Sequence, residues 1–329
     1  MEEKHTEVEQ SVLTNDERRS SVHVFLGLTI VCISLISFVA FGYWRTRVAG
    51  TSSYNEAVHA PEIEHQGSPS DAASERRGSI TDLLLDHPLE QAAHPLDPAL
   101  IVAQAGLDYL QNFVFDYTAV VAKQERVDEV LLEQEFFECK IRYARTVNGK
   151  DIPKSFYLKF VKPKRIAGRE VLWVEGWNRN RLLAREAGLL GIVSVSLNPT
   201  ERLAMTGNRY PITELGMENL IKRMIEKGER ARQSEDCQVT YDRDIEIDGK
   251  KGTLITITQP RQMPDAEFYQ AKIYIDDENN LPVGYEGFWW PETEGGPPLL
   301  IESYFYSDVK VNVGLTDLDF DRNNPDYRF

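Results

Sequence analysis

Three apolar runs rich in β-branched and aromatic residues stand close together in the last third of the sequence. They cover residues 268–275, 282–290 and 299–309, and turn-forming residues separate them. Runs of this composition between turns predict consecutive antiparallel strands that pair as a meander. Any fold open to this chain must therefore contain an antiparallel sheet.

Stretches upstream have the same character and predict further strands. The dipeptides Asn148-Gly149 and Asp248-Gly249 each lie between two such stretches. They favour tight hairpin turns, because these residue types tolerate the positive φ angles that such turns require. The predicted strands upstream of the meander cover residues 115–126, 135–146, 154–161, 170–176, 181–186, 192–197, 237–247 and 252–259.

Two amphipathic helices are predicted. The first begins at Asp97, the expected N-cap, with Pro98 in the first helical position. The second begins at Thr213 and is expected to stop at Gly228, because glycine favours helix termination. Strands and helices do not alternate along the chain, which argues against a parallel α/β sheet. One strongly bent antiparallel sheet around the helices fits best, and a β-sandwich is the alternative.

The closing strands also carry a series of short motifs. Residues 276–282 read DDENNLP, residues 306–312 read YSDVKVN, and Phe320 follows them. This series resembles the closing strands of the periplasmic lipoprotein-carrier superfamily, which includes the LolA, LolB and RseB types. A broader resemblance, over about residues 97–320, is to an uncharacterised family of membrane-anchored bacterial proteins.

The resemblance implies an α+β fold, in which a strongly curved antiparallel sheet forms a half-barrel around two or three helices. It also implies a non-enzymatic envelope domain that binds a lipid, an acyl chain or a lipoprotein, as a carrier or a sensor. A purely protein-binding regulatory domain, as in the RseB type, is one alternative. The other is a cell-envelope hydrolase that uses carboxylates, for which Glu286, Glu292 and Glu302 are candidates.

Histidine and charge exclude several classes of function. All six histidines precede Leu96, so a Ser-His-Asp triad, a Cys-His pair and a His-ligated metal are excluded from the residues after it. We therefore expect no catalytic residues, no metal and no cofactor. The net charge of −15 without a basic patch argues against nucleic acid as a partner. Cys139 and Cys237 either form one disulfide or remain two buried thiols.

The N-terminal part predicts attachment to a membrane. Residues 22–44 contain no formally charged residue and are long enough to span a bilayer. This length favours an uncleaved anchor over a signal peptide, for which residues 40–42 would be the cleavage site. Arginines flank this segment on both sides and leave its orientation undecided. The resemblance to exported carrier domains implies that residues 1–21 are a cytoplasmic tail, 45–96 a flexible linker and 97–329 the folded domain. The prediction is therefore a single-pass protein of the inner (cytoplasmic) membrane, with the C-terminal domain in the periplasm.

Alternation within the strands predicts which side chains face the helices. Apolar and aromatic residues that share this face either line a hollow cavity for an acyl chain or fill the core. Arg209, in a loop before the second helix, is a candidate to receive an anion, although a structural loop is the alternative. The predicted cavity residues are Phe156, Leu158, Phe160, Trp173, Trp177, Met217, Ile221, Met224, Tyr304 and Tyr306.

Overall fold

The computed structural model describes residues 92–187, 193–262 and 266–329. The predicted tail, the predicted membrane anchor and all but the end of the predicted linker lie outside these residues. No helix in the described ranges is both long and apolar enough to cross a membrane. The fold is a large antiparallel sheet with few helices.

Three α-helices and fourteen strands make up the described chain. The helices are α1 (Asp97–Phe113), α2 (Arg202–Met205) and α3 (Met217–Ala231). The strands are β1 (Asp116–Val127), β2 (Val130–Leu131), β3 (Glu135–Arg142), β4 (Arg145–Val147), β5 (Lys150–Ile152), β6 (Ser155–Lys162), β7 (Glu170–Val174), β8 (Leu182–Arg185), β9 (Ser194–Leu197), β10 (Gln238–Ile247), β11 (Lys250–Thr258), β12 (Gln270–Asp276), β13 (Leu281–Trp289) and β14 (Leu299–Val311).

Twelve of the strands form one sheet in which every neighbouring pair is antiparallel. The order is β10-β11-β12-β13-β14-β1-β3-β6-β7-β8-β9, and β2 pairs with β1. The predicted meander is confirmed as β12-β13-β14. Its last strand pairs with β1, where Glu125 lies opposite Glu302. The strands therefore form one continuous ladder rather than the two sheets of a sandwich.

The predicted hairpin turns are present. Asn148 and Gly149 have φ angles of 51° and 77°, and Asp248 and Gly249 have 52° and 78°. The first hairpin, β4-β5, stands outside the large sheet as a separate two-stranded sheet. The prediction of one strand over 135–146 is wrong, because the ladder ends at Arg142. Beyond that residue the chain turns away to pair with β5 instead of continuing along β6.

The first helix begins one residue earlier than predicted. Leu96 is the N-cap, and Asp97 is already helical. The Asp97 carboxylate accepts a hydrogen bond from the His94 backbone amide at 3.0 Å and pairs with Arg232 at 2.8 Å. His94 Nε2 lies 3.2 Å from the Ser234 carbonyl oxygen. Ordered contacts therefore begin before Asp97, within the segment that the sequence suggested was linker.

The second helix differs from the prediction at both ends. A separate 3₁₀ turn covers Ile212–Glu214, and α3 begins only after Gly216, whose φ of 101° breaks the helix. At the other end α3 continues through Gly228 to Ala231. A Cβ at Gly228 would lie 2.9 Å from Leu100 Cδ2 of α1. This glycine therefore permits close packing of two helices and is not a stop signal.

The main core lies between the two long helices and one face of the sheet. It joins side chains of α1 and α3 to inward-facing residues of β1, β3, β6, β7, β11, β12, β13 and β14. A smaller core on the opposite face contains Tyr157 and Leu172, and the C-terminal segment covers it with Phe320 and Tyr327. Cys139 and Cys237 are both buried as free thiols, so the disulfide alternative is not formed.

Candidate functional site

One half of the helix-facing surface, on β3, β6 and β7, is aromatic and filled. Phe156, Leu158 and Phe160 share this face on β6, as their alternation predicts. Trp173 of β7 stacks on Phe156 with ring centroids 5.5 Å apart, and Phe137 contacts Phe160 at 5.3 Å. All five side chains are buried. The described structure therefore has core here, where the sequence suggested either cavity or core.

Trp177 does not join this group. It lies in the turn Trp177–Asn180, where Asn178 and Arg179 have positive φ angles, and 39% of it is exposed. Alternation along β7 would place Trp177 on the same face as Trp173, but the strand ends at Val174 before that register is reached. Trp177 is therefore outside the helix-facing core.

The remaining predicted residues belong to α3 and β14. Met217 is fully buried at the start of α3, where its backbone amide donates to the Tyr117 hydroxyl at 3.1 Å. Tyr304 and Tyr306 face the main core from β14. Ile221 is buried, and Met224 is partly buried against the same core. Only these last two α3 residues, among the ten predicted, line the apolar cavity described next.

The other half of the same surface, on β11, β12 and β13, is aliphatic and contains a cavity of about 50 Å³. We call this space, bounded by α1, α3 and the three strands, the aliphatic cavity. Asn280 is the one polar residue among those that line it. The lining includes Leu100, Ala103 and Gly106 of α1, Ile221, Met224 and Gly228 of α3, and Ile255, Ile257, Ile273, Ile275 and Pro282 of the strands.

Gly106 leaves space in this part of the interior that a Cβ would occupy at ordinary contact distance. A Cβ at Gly106 of α1 would be 3.7 Å from Ile221 Cδ1 and 3.8 Å from the Asn280 carbonyl oxygen. The sequence contained a signal for the cavity wall, because alternation places Ile255 with Ile257 on one face, and Ile273 with Ile275. The predicted cavity residues were instead chosen largely from aromatic side chains, which lie outside this half of the sheet.

Beside the aliphatic cavity lies a buried cluster of charges around Glu302. Lys227 Nζ is 2.8 Å from Glu302 Oε1, and Arg209 Nε is 3.6 Å from Glu302 Oε2. The carboxylate is almost fully buried, whereas the two cations remain partly exposed. Arg209 also donates to the Arg126 carbonyl oxygen at 2.8 Å. Glu302 of β14 therefore binds both the loop before α3, through Arg209, and α3 itself, through Lys227.

A second carboxylate lies directly across the strand pair. Glu125 accepts hydrogen bonds from the Tyr304 hydroxyl and, at 3.0 Å, from the Arg209 backbone amide. Lys123 lies 3.6 Å from Glu125 and 3.2 Å from Glu135, and it donates to the Asn208 side chain at 2.6 Å. Sequence reasoning missed Glu125, because its position opposite Glu302 depends on the pairing of the first strand with the last.

Burial and neighbouring charge shift the pKa values in this cluster. Burial acts to raise the pKa of Glu302, but Lys227, Tyr210 and Arg209 together outweigh it and hold that pKa below its usual range. Burial acts to lower the pKa of Lys227, and the neighbouring Tyr285 and Glu302 outweigh this and raise it. Both groups are therefore charged at neutral pH, and they form a structural ion pair rather than a poised acid and base.

The carboxylates predicted for a hydrolase are not brought together. Glu286 accepts a hydrogen bond at 2.9 Å from Tyr274, whose ring packs on Phe305 on the outer face of the sheet. Glu302 faces the main core, on the opposite side. Glu292 is exposed in the loop after β13. Within the described ranges no group of three or more histidine, cysteine, aspartate or glutamate residues is placed to hold a metal ion.

A larger but open groove runs beside the β4-β5 hairpin. Its volume is about 590 Å³, and Arg145, Asp151 and Glu175 are among the residues that line it. The mixture of one cation with two carboxylates, beside the apolar Ile152 and Pro153, does not select one ligand chemistry. The aliphatic cavity is therefore the better candidate site, because its lining is chemically uniform.

Comparisons with known proteins give one family. A family model described as a protein of unknown function (DUF1571) matches residues 114–329. That range begins after α1. It covers every strand of the sheet and all the residues of the buried charged cluster around Glu302. No curated protein matches the sequence.

The solved structures that match include three that are distantly similar to this chain. A DUF1329 family protein from Desulfovibrio piger has 10% identity and a TM-score of 0.34, covering 70% of this chain and 98% of its own. A putative outer membrane lipoprotein-sorting protein domain from Vibrio parahaemolyticus has 12% identity and a TM-score of 0.32, with coverage of 67% and 98%. A LolA superfamily protein from Nitrosomonas europaea has 13% identity and a TM-score of 0.27, with coverage of 67% and 97%.

Proposed function

The chain belongs to the DUF1571 family, and we propose that its folded domain is a non-enzymatic binding domain for the apolar chain of a lipid or lipoprotein. The observation that carries the proposal is the aliphatic cavity. Its walls come from two helices and three strands, and Asn280 alone among its lining residues is polar. Such a wall favours hydrocarbon, because burial of apolar surface is the main favourable term and polar groups would lose their hydration.

The proposal requires the cavity to open. Its volume of about 50 Å³ is well below the roughly 300–1,000 Å³ of typical ligand pockets, so a long chain enters only if a wall moves. Polar links from α1 to α3 and its C-cap include Asp97 to Arg232 at 2.8 Å and Gln111 to Glu218 at 3.1 Å, and both lie toward the surface. Exposed contacts of this kind contribute little stability, so an incoming chain that displaces α1 has mainly to replace the apolar contacts of α1 with the core.

We infer further that the sheet curves as a half-barrel around α1 and α3. In support, inward-facing residues from strands on both sides of β1 share one buried core with both helices. A sheet of this many strands curls readily, because each strand pair adds to its twist. Curvature would present a concave face to the helices and would leave room beneath them when α1 moves.

Membrane attachment is part of the same proposal. The apolar residues 22–44 support a single-pass anchor, and we propose that it lies in the inner membrane with the domain in the periplasm. A tether of about fifty residues has a root-mean-square reach of roughly 40 Å, so the domain would meet lipid released near the bilayer. Protease added to spheroplasts should digest the domain while residues 1–21 remain protected. Protection of the domain instead would contradict this topology.

A photoactivatable fatty acid tests the binding proposal in the full-length chain in lipid nanodiscs. We expect saturable labelling of the wild type. Ala103→Phe places a ring in the aliphatic cavity and should reduce labelling at low probe concentration about tenfold, because it removes the space that the chain needs. The matched control is Leu203→Phe, at an exposed position outside the cavity. Labelling of Ala103→Phe equal to wild type would overturn the proposal.

A further inference from the structure

Exposed apolar side chains gather where α1 ends and β1 begins. Asn312 holds two segments together there, because its amide nitrogen donates to the Phe113 carbonyl oxygen and its side-chain oxygen accepts from the Phe115 backbone amide, both at 2.8 Å. Val313 follows Asn312 directly, and Val147 of β4 completes the group. Phe113, Phe115, Val147 and Val313 are each exposed by between 40% and 46%. We call these four side chains the apolar patch.

Arg145 connects the β4-β5 hairpin to the apolar patch. Its guanidinium carbon lies 4.4 Å from the centre of the Phe115 ring. Val147 is two residues further along β4, so it lies on the same side of the strand as Arg145. Asp151 and Glu175 line the groove that Arg145 also lines, so the surroundings of the patch carry no excess of positive charge. A partner for this surface is therefore selected by apolar contact and not by a strong opposite charge.

The patch includes the end of the helix that covers the aliphatic cavity. Phe113 is the last residue of α1, and Tyr109, one turn earlier, stacks on it with ring centroids 5.7 Å apart. The proposed linker joins the other end of this helix, at Asp97. The 17 residues of α1 span about 25 Å, which is less than the root-mean-square reach of roughly 40 Å for the linker. A domain tethered through residues 22–44 can therefore bring its patch to the bilayer that holds the anchor.

A lipid bilayer meets the requirements of this surface. Phenylalanine and valine gain free energy when they leave water for the boundary between head groups and acyl chains. An arginine beside them keeps its stem in the apolar layer and extends its guanidinium to the phosphates. The bilayer is also within reach of a tethered domain at all times, whereas a protein with a matching apolar surface must first be encountered.

We propose that the apolar patch is the membrane-docking surface of the domain, and that its four side chains insert into the bilayer that carries the anchor. This inference rests on the membrane attachment in the proposed function and adds the surface of the domain that contacts lipid. Insertion at Phe113 also brings the end of α1 into lipid. The helix that an incoming chain displaces is then in contact with the source of that chain.

The experiment measures the depth of a nitroxide spin label on the full-length chain in phosphatidylcholine nanodiscs. The label is attached to Val313→Cys in a Cys32→Ser background, because Cys139 and Cys237 are buried. Power saturation gives the ratio of collisions with oxygen, which concentrates in hydrocarbon, to collisions with a nickel chelate, which stays in water. We expect this ratio to be several-fold higher than at Leu203→Cys, an exposed position outside the patch. Equal ratios at the two positions would overturn the inference, and so would a label shielded from both reagents, because a protein would then cover the patch.

Two double variants show whether the aromatic side chains cause the insertion. Phe113→Ser with Phe115→Ser should lower the ratio at position 313 to that of the control position outside the patch. Val130→Ser with Leu131→Ser is the matched control, because both residues are exposed on β2 outside the patch. It should leave the ratio at position 313 unchanged. A ratio that neither double variant changes would overturn the inference.

Labelling by the photoactivatable fatty acid distinguishes a failure of this inference from a failure of the proposed function. Saturable labelling of a chain whose position 313 stays in water would overturn this inference alone. An inserted patch without saturable labelling would overturn the binding proposal alone. A chain that does not remain with the nanodiscs would overturn the proposed anchor and this inference together.

Discussion

The two halves of the helix-facing surface pack beneath the helices with different kinds of side chain. On β3, β6 and β7 the rings of Phe137, Phe156, Phe160 and Trp173 contact one another in pairs and leave no cavity among those described. On β11, β12 and β13 the residues are isoleucines, and a space remains between them and α1. Large flat rings fill the volume under a helix, whereas short branched chains reach less far from the sheet.

The two halves therefore differ in how firmly the chain above them is held to the sheet. Around the first half, the chain before α3 is locked to the sheet. A Cβ at Gly216 would lie only 3.2 Å from the Tyr117 hydroxyl and 3.5 Å from Ile141 Cδ1. Around the second half, α1 rests on apolar contacts and on a few exposed polar ones. We therefore expect the aromatic half to carry stability and the aliphatic half to carry binding.

The largest expected effect comes from truncating one side chain in each half. Phe156→Ala should lower the free energy of unfolding by about 3–5 kcal/mol, because it opens a new cavity in a filled core. Ile273→Ala should cost about 1–2 kcal/mol, because Ile273 is only partly buried and already borders free space. Chemical denaturation of the two variants measures the difference. Equal losses would mean that the halves are packed alike.

The next effect is expected at the boundary between the halves. Glu302→Gln leaves Lys227 and Arg209 without their shared carboxylate and should cost about 3 kcal/mol at neutral pH. The pKa of Glu302 is lower in the folded state than in the unfolded state, so its contribution is present above the unfolded pKa. That contribution is lost as pH falls through the folded pKa. Denaturation at pH 7 and at about pH 3 should show the variant deficit shrinking in acid, and a constant deficit would contradict the ion pair.

Adding volume should act with opposite sign in the two halves. Cys139→Leu overpacks the buried surface of β3 and should destabilise by about 1–3 kcal/mol. Ala103→Leu adds similar atoms beside the aliphatic cavity and should be neutral or stabilise by up to about 1 kcal/mol. Thermal melts of both variants against wild type give the signs. Destabilisation of similar size in both variants would contradict the proposed difference in packing between the filled half and the aliphatic half.

The smallest effect concerns the helix contact above the cavity. Gly228→Ala gains helix propensity of about 1 kcal/mol, but its new methyl group meets Leu100 Cδ2, so the net change should be near zero. In a Leu100→Ala background the same substitution should stabilise by about 0.5–1 kcal/mol. A double-mutant cycle of thermal stability measures the coupling. Additive stability changes in the two single variants and the double variant would show that Leu100 and a methyl group at position 228 do not interact.

Local signals in the sequence predicted the parts of the fold that local chemistry decides. The Asp248-Gly249 turn follows from φ preferences, and the meander follows from apolar runs between turns. The start of α1 was predicted to within one residue, because Pro98 marks it. Gly228 was misread as a helix stop, because its role depends on Leu100, which is distant in sequence and adjacent only in the fold.

The candidate site was harder to predict for the same reason. Alternation correctly placed Phe156, Leu158 and Phe160 on one face, but it does not report how much volume remains above a face. Ile221 and Met224 line the cavity, and the isoleucine strands that complete it were predicted as strands without a role. Glu125 meets Glu302 only because the first strand pairs with the last, which no local pattern encodes.

Mapping the residues that a photoactivatable fatty acid labels shows whether the aliphatic cavity is the binding site. A fatty acid with its reactive group near the methyl end is cross-linked to the full-length chain in nanodiscs, and the labelled residues are identified by mass spectrometry. We predict labels on Ile221, Met224 and Ile257, in the wall of the aliphatic cavity. Labels concentrated on Phe156, Phe160 and Trp173 instead, or spread over the exposed surface, would contradict binding in the aliphatic cavity.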